Sequence, residues 1–197
     1  MSGSPVGGIV LAAGRATRFG SQKLLAQLDG RPLVAHVVGA ARAAGLAPLV
    51  VVTGPDGALE PVDLGAVRRI INHNPDEGLS SSVRLGLAAL DDETVAGAVI
   101  LLGDQPRVRP DVIRTLVDAL ADPAGPPLVA PAYADDDAPN PVAARRDAWR
   151  LADDLVGDRG FGRFLAERPY LVRRIAFAGR NPDIDTPEDL ATLIGER

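Results

Sequence analysis

The stretch GIVLAAGRATRFGSQK, residues 8–23, decides the fold. It begins with an apolar run of strand length, residues 8–12, and passes without a break into small residues and glycine. A strand that is apolar at every position is buried on both faces, which is typical of a parallel sheet covered by helices. In such folds the turn after a strand lies at the edge of the sheet where ligands bind.

The same alternation of strand and helix patterns continues along the chain. The predicted strands are residues 8–12, 49–53, 69–72, 98–102, 128–130 and 171–175. The predicted helices are residues 32–44, 81–90, 110–121, 161–167 and 187–194, several of them opened by Pro, Ser or Asp. Residues 122–141 are weakly periodic and are expected to hold a loop or a small antiparallel excursion. We therefore expect an α/β protein, a three-layer α/β/α Rossmann-like fold with a mostly parallel sheet, in one domain of residues 1–197.

Composition excludes several classes of function. With 46% hydrophobic and 24% charged residues, the chain has the composition of a globular protein. A net charge of -5 and only seven aromatic residues argue against nucleic-acid and anionic-membrane partners. The absence of cysteine excludes disulfides, thiolate metal sites and cysteine nucleophiles. Because no signal peptide or membrane-length apolar run is present, we expect a cytoplasmic protein without a membrane partner.

Positive charge is concentrated near the start of the chain. The first 60 residues carry five basic and three acidic side chains, and Lys23 is the one lysine among 21 basic residues. The turn after the first strand places Arg18 and Lys23 beside glycines, whose backbone N–H groups can approach an anion. Its spacing is neither that of a Walker A loop nor GxGxxG. The pattern favours a phosphate site of another kind, although an ordinary strand-to-helix turn also carries Gly and exposed Arg.

Three further motifs place polar groups near the predicted ligand edge. Asp104 follows the fourth strand, where it could hold Mg²⁺ together with substrate phosphates or could act as a turn residue. Thr186, followed by Pro and Glu, is typical of a helix N-cap, and this leaves Asp183 and Asp185 unexplained. The three serines of residues 80–82 open a helix, where capping is the first interpretation and contact with a nucleotide is the second.

Two histidines complete the candidate ligands, and neither forms a cluster with other ligand types. His36 lies among apolar neighbours in the first predicted helix, so a packing role is expected. His73 lies in a loop after a strand, where a solvated side chain is expected. Without a group of ligands at the usual spacing, the sequence does not predict zinc.

These motifs, in this order, resemble the MobA-like nucleotidyltransferases, and most closely the molybdenum cofactor cytidylyltransferase group, along nearly the whole chain. Residues 11–23 match the family's LAAGxSxRxGxxK signature, with Thr17 beside the usual Ser position. Further matches are GRPL at 30–33 with His36, NP at 74–75, Gly78 with Ser81 and Ser82, GDQP at 103–106, NPV at 140–142, GD at 157–158 with Gly160, and DIDTPEDL at 183–190.

The resemblance implies a nucleotidyltransferase that moves CMP from CTP, or another nucleotide, to a molybdopterin-type or other phosphorylated acceptor with Mg²⁺ as cofactor and pyrophosphate as product. It implies catalytic roles for Arg18, Lys23 and Asp104, and Mg²⁺ ligands at Asp104 and Asp185. The implied nucleotide-binding residues are Leu11, Ala12, Ala13, Gly14, Lys23, Asn74, Gly78, Ser81 and Ser82. The implied acceptor-binding residues are Asn140, Pro141, Gly157 and Asp158. A molybdoenzyme that receives the product is a further partner to expect.

Ala12 and Ala13 bear on the choice of base. Guanylyl-transferring relatives tend to carry a Gly pair at these positions, so two methyl groups beside the base favour the smaller pyrimidine. Serine hydroxyls at 81 and 82 could then meet the polar edge of the base. We therefore expect CTP to be preferred over GTP.

The acceptor side departs from the family pattern. Residues 74–78 are shorter than the usual segment, Pro139 replaces a usual Gly, and residues 161–163 replace a usual Ala-Arg. The alternatives therefore stay open: a transferase of the same fold acting on a sugar phosphate or methylerythritol phosphate, a nicotine blue oxidoreductase-like member, or a non-catalytic chaperone that inserts the cofactor.

Overall fold

The fold is built on a seven-stranded sheet. The computed structural model describes residues 4–14, 19, 22–136 and 138–195. Its strands are β1 (Val6–Ala12), β2 (Gln27–Leu28), β3 (Arg31–Pro32), β4 (Leu49–Thr53), β5 (Arg68–Ile71), β6 (Gly97–Leu102), β7 (Leu128–Tyr133), β8 (Val142–Arg145) and β9 (Val172–Phe177). The sheet has the order β5-β4-β1-β6-β8-β7-β9, and β2 and β3 form a separate antiparallel pair.

The sheet is mostly parallel, as predicted. Strand β1 pairs in parallel with β4 and β6, β4 with β5, and β7 with β9. Strand β8 runs antiparallel to both β6 and β7, between which it lies. All six predicted strands are present within three residues at each end. Strand β8 was not predicted, because Val142-Ala-Ala-Arg145 is short, Ala-rich and carries a single β-branched residue.

The described residues form five α-helices and several 3-10 turns. The helices are α1 (Leu33–Ala43), α2 (Leu79–Ala88), α3 (Pro110–Leu120), α4 (Phe164–Glu167) and α5 (Pro187–Gly195). The 3-10 segments are Lys23–Leu25, Pro75–Glu77, Arg146–Asp154, Phe161–Arg163 and Pro169–Leu171. The helix predicted over residues 161–167 is therefore a 3-10 turn followed by one short α-helix. No helix in the described part of the chain is long and apolar enough to cross a membrane.

Two apolar layers, one on each face of the sheet, explain the three-layer architecture. Side chains of a strand point alternately to opposite faces. Accordingly, Ile9 and Leu11 of β1 belong to a core with Val83 of α2, and Val10 belongs to the opposite core with Val34 of α1. Both faces of β1 are buried, which accounts for its continuous apolar sequence. The predicted three-layer α/β/α fold is confirmed.

Helix α2 lies directly on β1 because it carries a glycine at the crossing point. A Cβ atom at Gly86 would lie 2.4 Å from Cγ2 of Ile9, so any side chain there would push the helix away from the sheet. A Cβ at Gly39 of α1 would meet only the end of the Arg31 side chain, at 3.3 Å. The two helical glycines therefore differ in the space around them.

We expect Gly86→Ala to lower the free energy of unfolding by about 1–3 kcal/mol, as overpacking usually does. Gly39→Ala is the matched control, because Ala is favoured over Gly in a helix by up to about 1 kcal/mol and the Arg31 side chain can move aside. Urea unfolding of both variants measures the difference. Equal stability of the two variants would contradict this account of the α2 position.

Candidate active site

A cleft of about 580 Å³ opens at the carboxyl ends of β1 and β6, beside the first turn of α2. The cleft lies where ligands bind in open α/β sheets. Its lining residues come from the turns after both strands and from the start of α2. They are Leu11, Ala12, Ala13, Gly14, Lys23, Leu24, Pro75, Asp76, Gly78, Leu79, Ser82, Leu102, Asp104 and Asp158.

Lys23 lies between two carboxylates in this cleft. Its Nζ donates to Oδ2 of Asp104 at 2.7 Å and to Oδ1 of Asp185 at 3.0 Å. The Lys23 side chain is 13% exposed, so water weakens these interactions less than at an open surface. Burial alone would lower the pKa of Lys23, but the charges and hydrogen bonds of Asp104 and Asp185 outweigh it and raise the pKa above its ordinary value. Lys23 therefore stays charged, as the shared counter-ion of both carboxylates.

Asp185 lies in a segment without regular structure, and hydrogen bonds hold this segment in place. The backbone N–H of Ile184 donates to the carbonyl oxygen of Asp104 at 3.0 Å. Oδ2 of Asp189 accepts from the backbone N–H groups of Asp185 at 3.0 Å and Thr186 at 2.7 Å. In return, Oγ1 of Thr186 accepts from the backbone N–H of Asp189 at 3.2 Å, which confirms the predicted N-cap.

This capping arrangement makes Asp189 part of the support of Asp185. The same hydrogen bonds, those from Thr186 first, lower the pKa of Asp189. Asp183 behaves differently, although much of the residue is exposed. Desolvation of its carboxyl group, together with the charges of Asp104 and Asp185, raises the pKa of Asp183 to about 6. Substitution of Asp189 would therefore also disturb the backbone at Asp185.

The three serines that open α2 do not cap it through their side chains, so the capping interpretation is wrong. Gly78 occupies the N-cap position, and no side-chain cap hydrogen bond is present. Instead, Nδ2 of the buried Asn72 donates to Oγ of Ser81 at 2.8 Å and to Oγ of Ser82 at 2.9 Å. The sequence did not single out Asn72, which lies at the end of the strand pattern, because an Asn there also suits a turn.

Protein groups from a distant segment occupy the N-terminal end of α2. The carbonyl oxygen of Gly157 accepts from the backbone N–H of Ser80 at 3.0 Å, and Oδ1 of Asp158 accepts from that of Leu79 at 3.3 Å. Gly78 has φ +87°, and a Cβ there would lie 2.3 Å from the Gly157 carbonyl carbon. Only glycine permits this contact, so Gly78 joins the two segments.

Most predicted site residues line one of three clefts, and Asp185 is joined to the main cleft through its hydrogen bond with Lys23. Those that line the main cleft are Leu11, Ala12, Ala13, Gly14, Lys23, Gly78, Ser82, Asp104 and Asp158. Asn74 and Ser81 line a smaller neighbouring cleft of about 310 Å³. Asn140 lines a third cleft of about 470 Å³ beside the first, whereas Pro141 and Gly157 lie next to cleft residues in sequence. Arg18 lies outside the described residues.

The residues present fit a hard divalent cation held by two carboxylates. The Lys23 ammonium shows that a cation fits between Asp104 and Asp185. No group of three or more His, Cys, Asp or Glu side chains among the described residues could hold a metal by itself. Mg²⁺ usually takes one or two carboxylates and completes its shell with water and substrate phosphates, so two ligands suffice.

The histidines agree with the packing and solvent roles expected for them. Nε2 of His36 lies 2.7 Å from the carbonyl oxygen of Leu28, so the ring connects α1 to β2. His73 is exposed.

Two departures from the family pattern on the acceptor side contact each other. Pro139 and Gly162 both line the third cleft, and a Cβ at Gly162 would lie 2.7 Å from Cγ of Pro139. The proline ring thus fills the space that a side chain at position 162 would need. The two substitutions form one compensated feature of the cleft wall.

We expect Lys23→Met to bind Mn²⁺ alone about tenfold or more tightly than the unchanged protein. Removal of the ammonium leaves two like charges facing each other and removes a cation that competes with the metal. Electron paramagnetic resonance of free Mn²⁺ measures the affinity without nucleotide or acceptor. The double variant Lys23→Met with Asp104→Asn is the control and should lose the gain. An unchanged affinity in Lys23→Met would show that Lys23 and the metal do not share this position.

We expect Gly162→Ala to lower the free energy of unfolding by about 1–3 kcal/mol through overpacking against Pro139. In the double variant, Pro139→Gly removes the ring that the new methyl group at position 162 would meet. The loss in free energy of unfolding should therefore be smaller than the sum of the two single losses, by about 0.5–3 kcal/mol. Denaturant unfolding of both singles and the double gives this coupling energy. Additivity within about 0.5 kcal/mol would argue that the two residues are independent.

The chain is similar in sequence to two kinds of curated protein. The chain is 33% identical over 165 residues to the bifunctional protein GlmU of Rhizorhabdus wittichii, which covers 79% of the chain and 35% of that protein. It is 33% identical over 129 residues to the 3-deoxy-manno-octulosonate cytidylyltransferase of Nitrobacter hamburgensis, covering 64% of the chain and 50% of that protein. The chain thus spans about a third of the first of these curated relatives and half of the second.

Solved structures agree with the fold. The crystal structure of Rv0371c from Mycobacterium tuberculosis has a TM-score of 0.87 and 29% identity, with 100% of both chains covered. The manganese complex of Rv0371C has a TM-score of 0.82 and 27% identity, covering 98% of this chain and 100% of the other. Residues 8–173 match the model of the MobA-like NTP transferase domain. The predicted resemblance is therefore confirmed, and the chain belongs to the MobA-like NTP transferase family of nucleotidyltransferases.

Proposed function

We propose that the protein transfers CMP from CTP to a phosphorylated acceptor, with a molybdopterin-type compound as the first candidate, and releases pyrophosphate. The observation that supports this most directly is the position of Lys23 between Asp104 and Asp185 in the main cleft. Both charge types that nucleotidyl transfer needs are there: a cation for phosphate oxygens, and two carboxylates for a metal.

The triphosphate is proposed to lie along the turn after β1. Residues Ala13 and Gly14 follow the last strand residue, and a Cβ at Gly14 would meet no atom within 4 Å. This open backbone leaves room for phosphate oxygens near the N–H groups, as glycine-rich turns do elsewhere. Lys23 would supply positive charge to the phosphates from the opposite side, and Arg18 is proposed to add to it.

The transfer step needs positioning more than proton chemistry. A phosphate monoester is largely dianionic at neutral pH, so an acceptor oxygen can attack without a protein base. This oxygen forms a bond to the α-phosphorus, and the bond from the α-phosphorus to the bridging oxygen breaks. Pyrophosphate leaves with that electron pair. Lys23 is proposed to stabilise the negative charge on the leaving group.

Asp104 and Asp185 are proposed to hold Mg²⁺ in the complex with nucleotide, in which the Lys23 ammonium leaves its position between them and contacts the phosphates. The bound ion would supply charge neutralisation at the phosphate oxygens. The manganese complex of the relative Rv0371C supports a divalent metal in proteins of this fold.

CTP is proposed as the donor because of the methyl groups of Ala12 and Ala13, both in the cleft lining and both buried. A difference of one methyl-sized group in an apolar pocket discriminates between two substrates by about 1–3 kcal/mol. The name of the relative from Nitrobacter hamburgensis, a cytidylyltransferase, also supports CTP.

The acceptor is proposed to lie in the third cleft, which shares Leu79, Leu102 and Asp158 with the main cleft. A phosphate that reaches from one into the other would meet the triphosphate at their junction. The name of the Nitrobacter relative contains a sugar acid, so sugar acids and sugar phosphates form the second acceptor class. A molybdoenzyme as recipient of the product and a cytoplasmic location stay predictions from the sequence.

The test is release of pyrophosphate from CTP, GTP, ATP and UTP against a panel of phosphorylated pterins, sugar phosphates and sugar acids. We expect CTP to exceed GTP by roughly tenfold or more in kcat/KM. Asp104→Asn should keep the fold and lose turnover by orders of magnitude, because it removes an interaction with the transition state.

Glu188→Gln is the matched control for Asp104→Asn, since Glu188 belongs to the same acidic run as Asp185 but is exposed on the first turn of α5. It should retain turnover within about twofold, as surface substitutions usually do. A preference for GTP would refute the assignment of the base. Absence of turnover with every pair would favour the chaperone alternative.

A further inference from the structure

Two buried amides, Gln105 and Asn181, form a pair that links the three chain segments around the site. Both residues are 1% exposed. Nδ2 of Asn181 donates to Oε1 of Gln105 at 3.0 Å, and Nε2 of Gln105 donates to the carbonyl oxygen of Asn181 at 3.1 Å. These reciprocal bonds join residues that are 76 positions apart in sequence.

The same pair reaches the acceptor side. Nδ2 of Asn181 also donates to the carbonyl oxygen of Asn140 at 3.3 Å, and the backbone N–H of Asn181 donates to Oδ2 of Asp136 at 3.1 Å. Asn140 lines the third cleft. One side chain therefore fixes the relation between the acceptor cleft and the turn after β6.

The position of the pair matters because Asp185 has no strand or helix to carry it. Gln105 directly follows Asp104, and Asn181 lies four residues before Asp185 in an irregular segment. Buried Ile184 and the caps at Asp189 hold the far end of this segment. The Gln105–Asn181 pair holds its near end. Movement of that end would change the separation of the two carboxylates.

Asn181 is also oriented by its neighbours at a cost to stability. Two oxygen acceptors face its Nδ2, which fixes the direction of the amide group. Its Oδ1 is then buried without a hydrogen-bond partner among the described residues. An unpaired buried acceptor is unfavourable, so the donor bonds to Gln105 and Asn140 account for the orientation of the Asn181 amide.

We infer that Asn181, together with Gln105, is a positioning residue that sets the geometry of Asp104 and Asp185 and couples it to the acceptor cleft. It touches neither the triphosphate path nor the metal position directly. The inference rests on the proposed function, which assigns Asp104 and Asp185 as metal ligands. Its test nevertheless needs neither the correct nucleotide nor the acceptor.

The matched control is Asn72→Ala. Asn72, like Asn181, is 1% exposed and donates two hydrogen bonds from Nδ2. Loss of either side chain leaves buried partners unpaired, so the stability loss should be similar in the two variants. Of these two asparagines, Asn181 is the one bonded to Gln105, the residue that follows Asp104.

The probe is Mn²⁺ alone, titrated by electron paramagnetic resonance without triphosphate for the unchanged protein and for each variant. We expect Asn181→Ala to weaken Mn²⁺ binding about tenfold or more and Asn72→Ala to change it less than twofold in the absence of triphosphate. Gln105→Asn keeps an amide but shortens the side chain, so it should also weaken Mn²⁺ binding. It tests the same pair if Asn181→Ala fails to fold.

Equal weakening in Asn181→Ala and Asn72→Ala, or none in Asn181→Ala, would overturn the inference, as would absence of Mn²⁺ binding by the unchanged protein. With a competent acceptor, Asn181→Ala should lower kcat while the KM for the triphosphate stays within about threefold. Weakened Mn²⁺ binding without any pyrophosphate release would sink the proposed function and leave the positioning role standing. Pyrophosphate release with unchanged Mn²⁺ binding in Asn181→Ala would do the reverse.

Discussion

The carboxylates of Asp104 and Asp185 share one counter-ion, the ammonium group of Lys23. Two carboxylates on either side of one cation repel each other, and the cation offsets that repulsion. Lys23 supplies the positive charge, with hydrogen bonds of 2.7 and 3.0 Å. A strand, a 3-10 turn and a hydrogen-bonded irregular segment bring these three side chains from distant parts of the chain to one edge of the sheet.

Each of the three side chains is delivered by a different kind of support. Asp104 follows β6, whose end is fixed against β1 by the hydrogen bond from the Gly103 N–H to the carbonyl oxygen of Leu11. Lys23 begins a 3-10 turn packed against the core through its neighbours. Asp185 lies in an irregular segment held by the Ile184 backbone hydrogen bond to Asp104 and by side-chain hydrogen bonds at Asn181 and Asp189. Hydrogen bonds thus take the place of a strand or helix in this segment.

Helix α2 begins where the main cleft meets the third cleft. Its first turn lines the main cleft, and its N–H groups are bonded to Gly157 and Asp158 from the segment beyond β8. Asp158 lines both clefts and places a negative charge at the positive end of the helix dipole. Because the N–H of Leu79 is taken by Asp158 and that of Ser80 by Gly157, the phosphates would have to rely on the turn after β1.

The sequence by itself determined the parallel sheet, its three layers and the identity of the charged residues, because these follow from local patterns. A continuous apolar run such as residues 8–12 predicts a strand that is buried on both faces. The apolar run before Asp104 likewise predicts that Asp104 follows a strand, at the edge of the sheet where ligands bind. Strand β8 could not be predicted, since Val142–Arg145 becomes a strand only through pairing with β6 and β7. The ion bridge of Lys23, the amide pair of Gln105 and Asn181, and the contact of Pro139 with Gly162 were decided by tertiary structure alone. Each joins residues that are far apart in sequence, and a side chain carries no local signal of which distant partner will satisfy its charge, its hydrogen bonds or its volume.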